Sequence, residues 1–238
     1  MTLLKQLTFD LGYRKAFDFN NFVAGKNNQL VKALKDLHLE IEPALLYFWG
    51  ERKVGKTHLL TALSKSFGEA GLSFWYLPLE EHKQLKPEIL KGLEVVDLLM
   101  IDNLELIAEV IGWEEPLLHA FNNFIAHRKK MVISSRFAPW QLNFKLKDLL
   151  SRLNSGLVFK VEPLNDSEKL KALRLHAIQH GFELTDEVGF FLLNHYNRDF
   201  KFLLEMLAKL DKASLSAKRK ITIPFIKQVF KEDYGDGI

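Results

Sequence analysis

The chain has 238 residues, an ordinary apolar fraction of 47%, no cysteine and a net charge of +3 at pH 7. Disulfides and thiolate metal sites are therefore excluded, the small charge gives no support to a strongly basic nucleic-acid surface, and the length fits one large domain or two modest ones. No apolar run approaches the ~18 residues of a membrane helix and no secretory signal is evident, so we expect a cytoplasmic location without membrane contact.

The first two-thirds of the chain alternates short apolar segments with helical ones. We predict strands at 44–49, 73–77, 96–101, 131–135 and 157–161, with helices at 57–69, 86–93, 114–127 and 146–153. Short apolar strands of this kind are typical of a parallel sheet that is covered on both faces. The alternation predicts an α/β fold with right-handed crossovers.

A phosphate-binding pattern, G-x-x-x-x-G-K-[ST], follows the first predicted strand and leads into a helix. Its residues are Gly50, Glu51, Arg52, Lys53, Val54, Gly55, Lys56 and Thr57. The glycines let backbone N–H groups turn toward phosphate oxygens, and the helix N-terminus adds its positive dipole end. Lys56 would contact the β- and γ-phosphates and Thr57 would bind Mg²⁺ through its hydroxyl. The pattern predicts a site for a nucleoside phosphate.

The third predicted strand ends in an acid, Asp102, as in a Walker B segment, where the carboxylate helps to hold Mg²⁺. Efficient ATPases of this type usually have a second acid next in the chain, which polarises the attacking water. This chain has Asn103 there. An amide orients water but cannot accept its proton, so we predict slow intrinsic hydrolysis. The alternative is that another carboxylate, such as Glu105, takes that role.

After residue 161 the patterns become helical. We predict one helix from Asn165 or Asp166 to His180, a second that opens at 185–187, a third from near Asp199 and a short last one that starts at 222–224. Capping residues and acids in the first turns support these starts. A small all-helical domain would thus follow the α/β domain.

The segment Phe17–Asn28 resembles the adenine-side segment of the bacterial replication initiator DnaA, and with the two motifs above it suggests the AAA+ ATPase class. Segments 99–103, 149–153, 181–184, 188–193 and 221–225 are similar to the DnaA-homologous regulators of initiation, and the resemblance covers nearly the whole chain. It implies ADP or ATP with Mg²⁺ as the ligand. It also assigns to the nucleotide site Phe22, Val23 and His58.

The resemblance implies roles for three further residues. Arg152 matches the arginine finger, which neutralises charge on the γ-phosphoryl group of a neighbouring subunit's nucleotide; the alternative is an ordinary surface arginine. Ser134 matches the first sensor residue, or else is a strand-end hydroxyl that the backbone satisfies. Lys201 lies where the family has a lid arginine, and lysine lacks the bidentate fork. With Asn103, this favours a protein that rests with ADP bound.

The N-terminal sequence resembles the short peptide with which replication proteins bind the β sliding clamp of DNA polymerase III. Gln6 would hydrogen-bond at the rim of the groove, while Leu7, Phe9 and Leu11 would fill apolar pockets. The alternatives are an added edge strand and a packed arm.

The resemblance therefore implies three parts: a clamp-binding segment at 1–13, an AAA+ nucleotide-binding domain at 14–162 and a helical lid at 163–238. DnaA continues into a helix-turn-helix domain that is not seen here, so no sequence-specific DNA binding is expected. The implied function is negative regulation of initiation, in which an ADP-bound, clamp-bound protein uses Arg152 to stimulate hydrolysis of ATP on DnaA. A homodimer is compatible with this. The alternatives are a DnaA-like or helicase-loader ATPase with its own turnover, and a DNA-binding initiator paralogue.

Overall fold

A computed structural model of the chain describes residues 17–39 and 44–234. The predicted clamp-binding residues Gln6, Leu7, Phe9 and Leu11 lie outside these ranges. The described chain forms two compact units, the first of residues 17–22 and 27–161 and the second of Val23–Lys26 and the residues from Glu162 onward. In the described ranges, no helix has both the length and the apolar character that a membrane span requires.

The first unit is an α/β structure. Its helices and strands are α1 Asn28–Asp36, β1 Leu45–Trp49, α2 Lys56–Glu69, β2 Phe74–Pro78, β3 Leu98–Asp102, α3 Glu114–Ala126, β4 Lys130–Ser135, α4 Lys147–Asn154 and β5 Leu157–Lys160. Short 3₁₀ turns lie at Leu79–Glu81, Pro87–Leu90, Leu93–Val95, Leu104–Ile107 and Pro139–Gln141.

The five strands form one parallel sheet in the order β2-β3-β4-β1-β5. This confirms the predicted parallel α/β architecture. The central strands are apolar because both of their faces are covered, and every residue of β3 is buried. The carboxyl ends of parallel strands meet at one edge, so the phosphate-loop pattern after β1, Asp102 at the end of β3 and Ser134 near the end of β4 come to the same place.

The helix predicted at 86–93 is wrong. The segment forms two 3₁₀ turns, at Pro87–Leu90 and Leu93–Val95. Between them Gly92 takes φ +74°, a left-handed conformation that a right-handed helix cannot contain. A segment this short also gains too few helical hydrogen bonds to offset the cost of nucleation.

Helix α1 was not predicted, yet it has the pattern of a buried amphipathic helix. Leu30, Val31 and Leu34 on one side are buried, while Lys32 and Lys35 on the other are exposed. Each such burial contributes about 1.5–3 kcal/mol relative to an exposed side chain. Tertiary packing therefore accounts for this helix, which is short for an isolated one.

The described part of the second unit contains four helices, α5 Asp166–Gln179, α6 Asp186–His195, α7 Phe200–Ala217 and α8 Ile223–Tyr234. The first begins with a capping box: the Asn165 side chain accepts from the Glu168 N–H at 2.9 Å, and the Glu168 carboxylate accepts from the Asn165 N–H at 2.8 Å. The Glu168 carboxylate also lies against Gly25, where an added Cβ would be 2.9 Å from Oε1. The last helix has 12 residues and is longer than predicted.

Candidate nucleotide site

The loop after β1 depends on glycine at both ends. At Gly50, an added Cβ would lie 2.8 Å from the carbonyl oxygen of Val161. At Gly55, φ is +98° and an added Cβ would lie 2.9 Å from the Phe22 ring. Between them Glu51, Arg52 and Lys53 are exposed and Val54 is half-buried.

Gly55 is also the N-cap residue of α2, and no side chain of the described residues caps this helix. The first N–H groups of a helix have no partner within the helix, and its N-terminus carries a partial positive charge. The arrangement can therefore bind an anionic group such as a phosphate at the start of α2.

Lys56, the first residue of α2, bridges the loop. Its Nζ donates to the carbonyl oxygens of Gly50 at 2.7 Å and Glu51 at 2.8 Å, and the residue is only 7% exposed. Burial lowers the pKa of Lys56, while the carboxylates of Glu105 and Asp102 act in the opposite direction. An ammonium group has three donors, so two carbonyls leave one for a phosphate oxygen.

Asp102 is buried and accepts hydrogen bonds from three hydroxyl groups. Thr57 Oγ1 donates to Oδ2 at 2.9 Å and the Tyr76 hydroxyl donates to the same oxygen at 2.8 Å, while Ser134 Oγ donates to Oδ1. The hydroxyls come from α2, β2 and β4, so three elements fix the carboxylate. Two of them, Ser134 and Thr57, had been singled out from the sequence.

The residues predicted to hold Mg²⁺, Thr57 and Asp102, are thus adjacent. Among the described residues, no group of three or more His, Cys, Asp or Glu side chains is arranged to hold a metal ion. Mg²⁺ needs no such group, because it usually binds through one or two protein oxygens together with waters and substrate phosphates. A hydroxyl and a carboxylate at the start of α2 fit this ion.

Asn103, which follows Asp102, has φ +62°, in the left-handed region that asparagine tolerates. Its backbone N–H donates to Ser134 Oγ at 3.3 Å, and its side-chain amide donates to Glu80 Oε1 at 3.4 Å. The Ser134 hydroxyl therefore accepts from the backbone and donates to Asp102 at once. Ser134 is fully buried, and its hydroxyl connects Asn103 with Asp102 at the carboxyl edge of the sheet.

Glu105, the alternative acid, lies in the 3₁₀ turn after Asn103. Its Oε2 accepts from Ser135 Oγ at 3.0 Å and from the Arg136 N–H at 3.0 Å. Its charge is also the largest of the carboxylate influences that raise the pKa of Lys56. The end of β4 therefore holds one oxygen of Glu105, while the charge of Glu105 acts on Lys56.

The segment 17–22 packs on α2 through His58. His58 Nε2 lies 3.0 Å from the carbonyl oxygen of Asp18, and its ring stacks on Phe17 with 4.3 Å between centroids and meets Phe22 edge-on at 5.2 Å. Burial lowers the pKa of His58, and the contact with Asp18 opposes this shift. Phe22 and His58 therefore belong to one cluster, whereas Val23 begins the stretch that belongs to the second unit.

Arg152 lies in the last turn of α4 and is exposed. Within residues 17–39 and 44–234, its guanidinium group has no hydrogen bond or ion pair, whereas its backbone carbonyl oxygen accepts from Ser155. Lys201 lies in the first turn of α7, in the second unit.

Sequence reasoning missed Tyr76 and the role of Asp18 in this site. The register of β2 and β3 pairs Tyr76 with Met100 and Pro78 with Asp102, so the two-residue period of a strand puts Tyr76 on the same face as Asp102. A hydroxyl two residues before the end of the neighbouring strand was the available signal. The contact between the Asp18 carbonyl and His58 could not be inferred in this way, because any residue has a carbonyl group and the contact depends on how the chain folds.

Two models of DnaA-related families together match most of the chain. Residues 13–160 match the family model of the bacterial DnaA ATPase domain, and residues 166–230 match the model of the lid domain of Hda. Domain III of DnaA from Thermotoga maritima is 26% identical, with a TM-score of 0.75, and the match covers 91% of this chain and 96% of that one.

Two more distant structures share the fold. AMPPCP-bound DnaA from Aquifex aeolicus is 22% identical with a TM-score of 0.67, and 85% of this chain and 68% of that chain are covered. RuvB from Thermotoga maritima, a Holliday junction branch migration motor, is 14% identical with a TM-score of 0.66, with 86% and 67% covered.

Proposed function

The chain belongs to the family of bacterial DnaA ATPase domains and has the AAA+ fold with an Hda-type lid, and we propose from this premise that it is a negative regulator of bacterial replication initiation. In this role it would bind the β sliding clamp of DNA polymerase III and, with ADP bound, supply Arg152 to the nucleotide site of DnaA. The result is hydrolysis of the ATP that DnaA holds. DnaA and the clamp would then be its two protein partners. A homodimer of this chain is compatible with the proposal.

The proposed ligand is ADP or ATP with Mg²⁺. Several contacts support it: the uncapped N-terminus of α2, the bridging ammonium of Lys56, and the pair of Thr57 and Asp102, 2.9 Å apart. When bound, Mg²⁺ would neutralise charge on the β- and γ-phosphate oxygens. Thr57 and Asp102 would hold it, with Asp102 oriented by Tyr76 and Ser134.

The observation that carries the proposal is the contrast between this chain's own site and its exposed arginine. The position of the water-polarising acid is occupied by Asn103, whose amide contacts Glu80 and cannot accept a proton. Arg152, by contrast, presents a guanidinium without a hydrogen-bonding or ionic partner in the described part of the chain. Such a group, inserted into a neighbouring active site, raises phosphoryl-transfer rates by roughly 10³–10⁵.

The clamp contributes location rather than chemistry. A tether through Gln6, Leu7, Phe9 and Leu11 would keep the protein on DNA, where DnaA is met at a raised effective concentration. Lys201, in place of the family's lid arginine, supplies charge without a bidentate fork, and together with Asn103 it favours ADP as the resting ligand.

A second candidate is an ATPase with its own turnover, as in DnaA-like initiators or helicase loaders. The position of Glu105, three residues after Asp102 and bonded to the end of β4, favours it, since a carboxylate can accept a proton from water. Substantial ATP hydrolysis by the purified protein alone would support this candidate.

The deciding experiment measures hydrolysis of DnaA-bound ATP in the presence of this protein, with and without clamp loaded on DNA. We expect hydrolysis to accelerate only when both this protein and the loaded clamp are present. Equal hydrolysis with and without this protein would refute the regulatory function, and acceleration that does not require the clamp would refute the tether.

A further inference from the structure

The positive charge of the chain is concentrated in one stretch of the second unit. Residues 209–231 carry seven Lys or Arg side chains and one acid, Asp211, so this stretch has a net charge of +6, whereas the whole chain has +3. The rest of the chain is therefore net negative. All seven basic residues are exposed: Lys209, Lys212, Lys218, Arg219, Lys220, Lys227 and Lys231. The small overall charge thus conceals a local basic region.

Three of these residues lie together on the exposed face of α8. Lys227 and Lys231 are one turn apart on this helix, so their side chains leave it on the same side. Arg219, in the connection from α7, donates from Nη1 to the side-chain oxygen of Gln228 at 3.2 Å, which brings it beside Lys227. The guanidinium of Arg219 also lies 5.5 Å from the centroid of the Phe225 ring.

A fourth basic residue, Lys209 of α7, joins them through an aromatic cluster. Its Nζ lies 6.0 Å from the centroid of the Phe230 ring, and Lys227 Nζ lies 5.7 Å from that of Phe191. Both rings contact Tyr196, so the two ammonium groups lie over neighbouring parts of one cluster. We call Lys209, Arg219, Lys227 and Lys231 the α8 basic surface.

We infer that the α8 basic surface binds the phosphate backbone of duplex DNA without regard to base sequence. Lys and Arg side chains that neutralise phosphates release the condensed counterions of DNA, and contacts to phosphates carry no base information. Cations that already rest on rings lose less conformational freedom when they bind. The inference goes beyond the proposed function, in which the clamp keeps the protein on DNA, and it requires neither a nucleotide nor Arg152.

The side chains around these cations favour duplex DNA over two other anionic partners. Single-stranded nucleic acid is bound through exposed rings on which bases stack, whereas Phe225 and Phe230 are 3% and 1% exposed. Binding in a lipid surface needs exposed apolar side chains beside the cations. Among the residues of α8 whose side chains are described, the exposed ones besides Pro224 are Lys227, Gln228 and Lys231.

Binding is measured by fluorescence anisotropy of a short labelled duplex with the full chain, without clamp, DnaA or nucleotide, from about 50 to 200 mM salt. Lys227→Gln combined with Lys231→Gln removes two cations of the surface. Lys32→Gln combined with Lys35→Gln is the matched control, because these two lysines are also exposed on one side of a helix, α1, in the first unit. Lys227→Arg combined with Lys231→Arg keeps both charges.

We expect the wild-type chain to bind two duplexes of unrelated sequence equally and to lose affinity steeply as salt rises. The glutamine pair on α8 should bind roughly tenfold more weakly at low salt, and its slope of log affinity against log salt should be smaller by about two, one for each lost phosphate contact. The control pair and the arginine pair should bind as the wild type does. Equal affinities of the two glutamine pairs would overturn the inference.

The remaining outcomes separate this inference from its neighbours. If the wild-type chain binds vesicles of phosphatidylglycerol but not the duplex, the surface is a lipid site and the inference is wrong. A wild-type chain that does not bind the duplex overturns it even if DnaA is regulated as proposed. Failure of that regulation would leave a measured, salt-dependent DNA affinity intact, because the assay contains none of the partners on which the regulation depends.

Discussion

The hydroxyl of Thr57 donates a hydrogen bond to the carboxylate of Asp102, with 2.9 Å between Oγ1 and Oδ2. This bond joins the start of α2 to the end of β3, although the two residues are far apart in the sequence. The two oxygens are the pair from which Mg²⁺ binding is expected.

Replacing Thr57 by valine keeps the shape of the side chain and removes this oxygen. We expect Thr57→Val to weaken binding of ADP in the presence of Mg²⁺ by about tenfold to a hundredfold, since hydrogen bonds to charged groups are worth about 1.5–3 kcal/mol. Calorimetry with Mg²⁺ and with a chelator measures the difference, and Thr57→Ser is the control that should bind normally. Tight, Mg²⁺-dependent binding by the valine variant would contradict the metal assignment.

Arg152→Ala should abolish the stimulation of ATP hydrolysis on DnaA, a loss of roughly 10³-fold or more if the guanidinium acts in the transition state. Hydrolysis is measured as release of phosphate from DnaA preloaded with ATP. Arg128→Ala is the matched control, because Arg128 is also exposed but lies between α3 and β4, outside the segment 149–153 that resembles the family's finger motif. Clamp binding should be the same in all three proteins, and full stimulation by Arg152→Ala would remove the finger assignment.

Asn103→Asp places a carboxylate at the position of the missing acid. ATP hydrolysis by the protein alone should rise by about tenfold or more, because a general base contributes roughly 10²–10⁴. Steady-state phosphate release measures this, with Asn103→Ala as the variant that should show no gain. If Asn103→Asp is as slow as the wild type and Glu105→Gln removes the residual rate, Glu105 is the general base. The inference that Asn103 makes the intrinsic hydrolysis slow would then be wrong.

The acid stability of the sheet should depend on Asp97. Its carboxylate accepts from Lys129 Nζ at 2.7 Å and from the Ser73 N–H and hydroxyl, and these contacts lower the pKa of Asp97 to about 2. Because the folded protein favours the charged form, the stabilisation is present above about pH 4 and is lost as the pH falls toward about 2. The pair is partly exposed, so its contribution at neutral pH is below about 1 kcal/mol.

Thermal unfolding measured from pH 6 to pH 2 tests this pairing. Asp97→Asn should have a slightly lower Tm at pH 6 and a smaller further decrease toward pH 2 than the wild type, since the variant has no proton to take up there. High salt at pH 6 should reduce the difference between the two proteins. If the Tm of the variant and of the wild type falls equally with pH, the contacts of Asp97 do not stabilise its charged carboxylate.

Much of the fold could be predicted because its signals are local. The strands were placed within one or two residues, since short apolar runs bounded by polar or glycine residues identify them. Asn165, Thr185 and Asp199 cap their helices through side-chain oxygens, and the predicted helix starts lay at or next to these residues. The segment 86–93 misled the prediction because an apolar pattern outweighed Gly92.

The same distinction applies to the candidate site, where some residues can be found from the local sequence and others depend on the fold. Residues in a spaced motif, such as Lys56, Thr57 and Asp102, are visible in the sequence because the phosphate chemistry fixes their spacing. Tyr76 and Asp18 reach the site through strand register and the path of a turn, so their roles needed coordinates.

The second unit is discontinuous in sequence, because it includes the short stretch Val23–Lys26 as well as the residues from Glu162 onward. A lid expressed by itself from residue 162 would lack Gly25, the partner of the Glu168 carboxylate at the start of α5. The peptide immediately before this stretch is the one that His58 holds against the phosphate loop. Truncation between residues 161 and 162 would consequently separate Val23–Lys26 from the rest of the second unit, so each unit is better studied by substitution in the intact polypeptide.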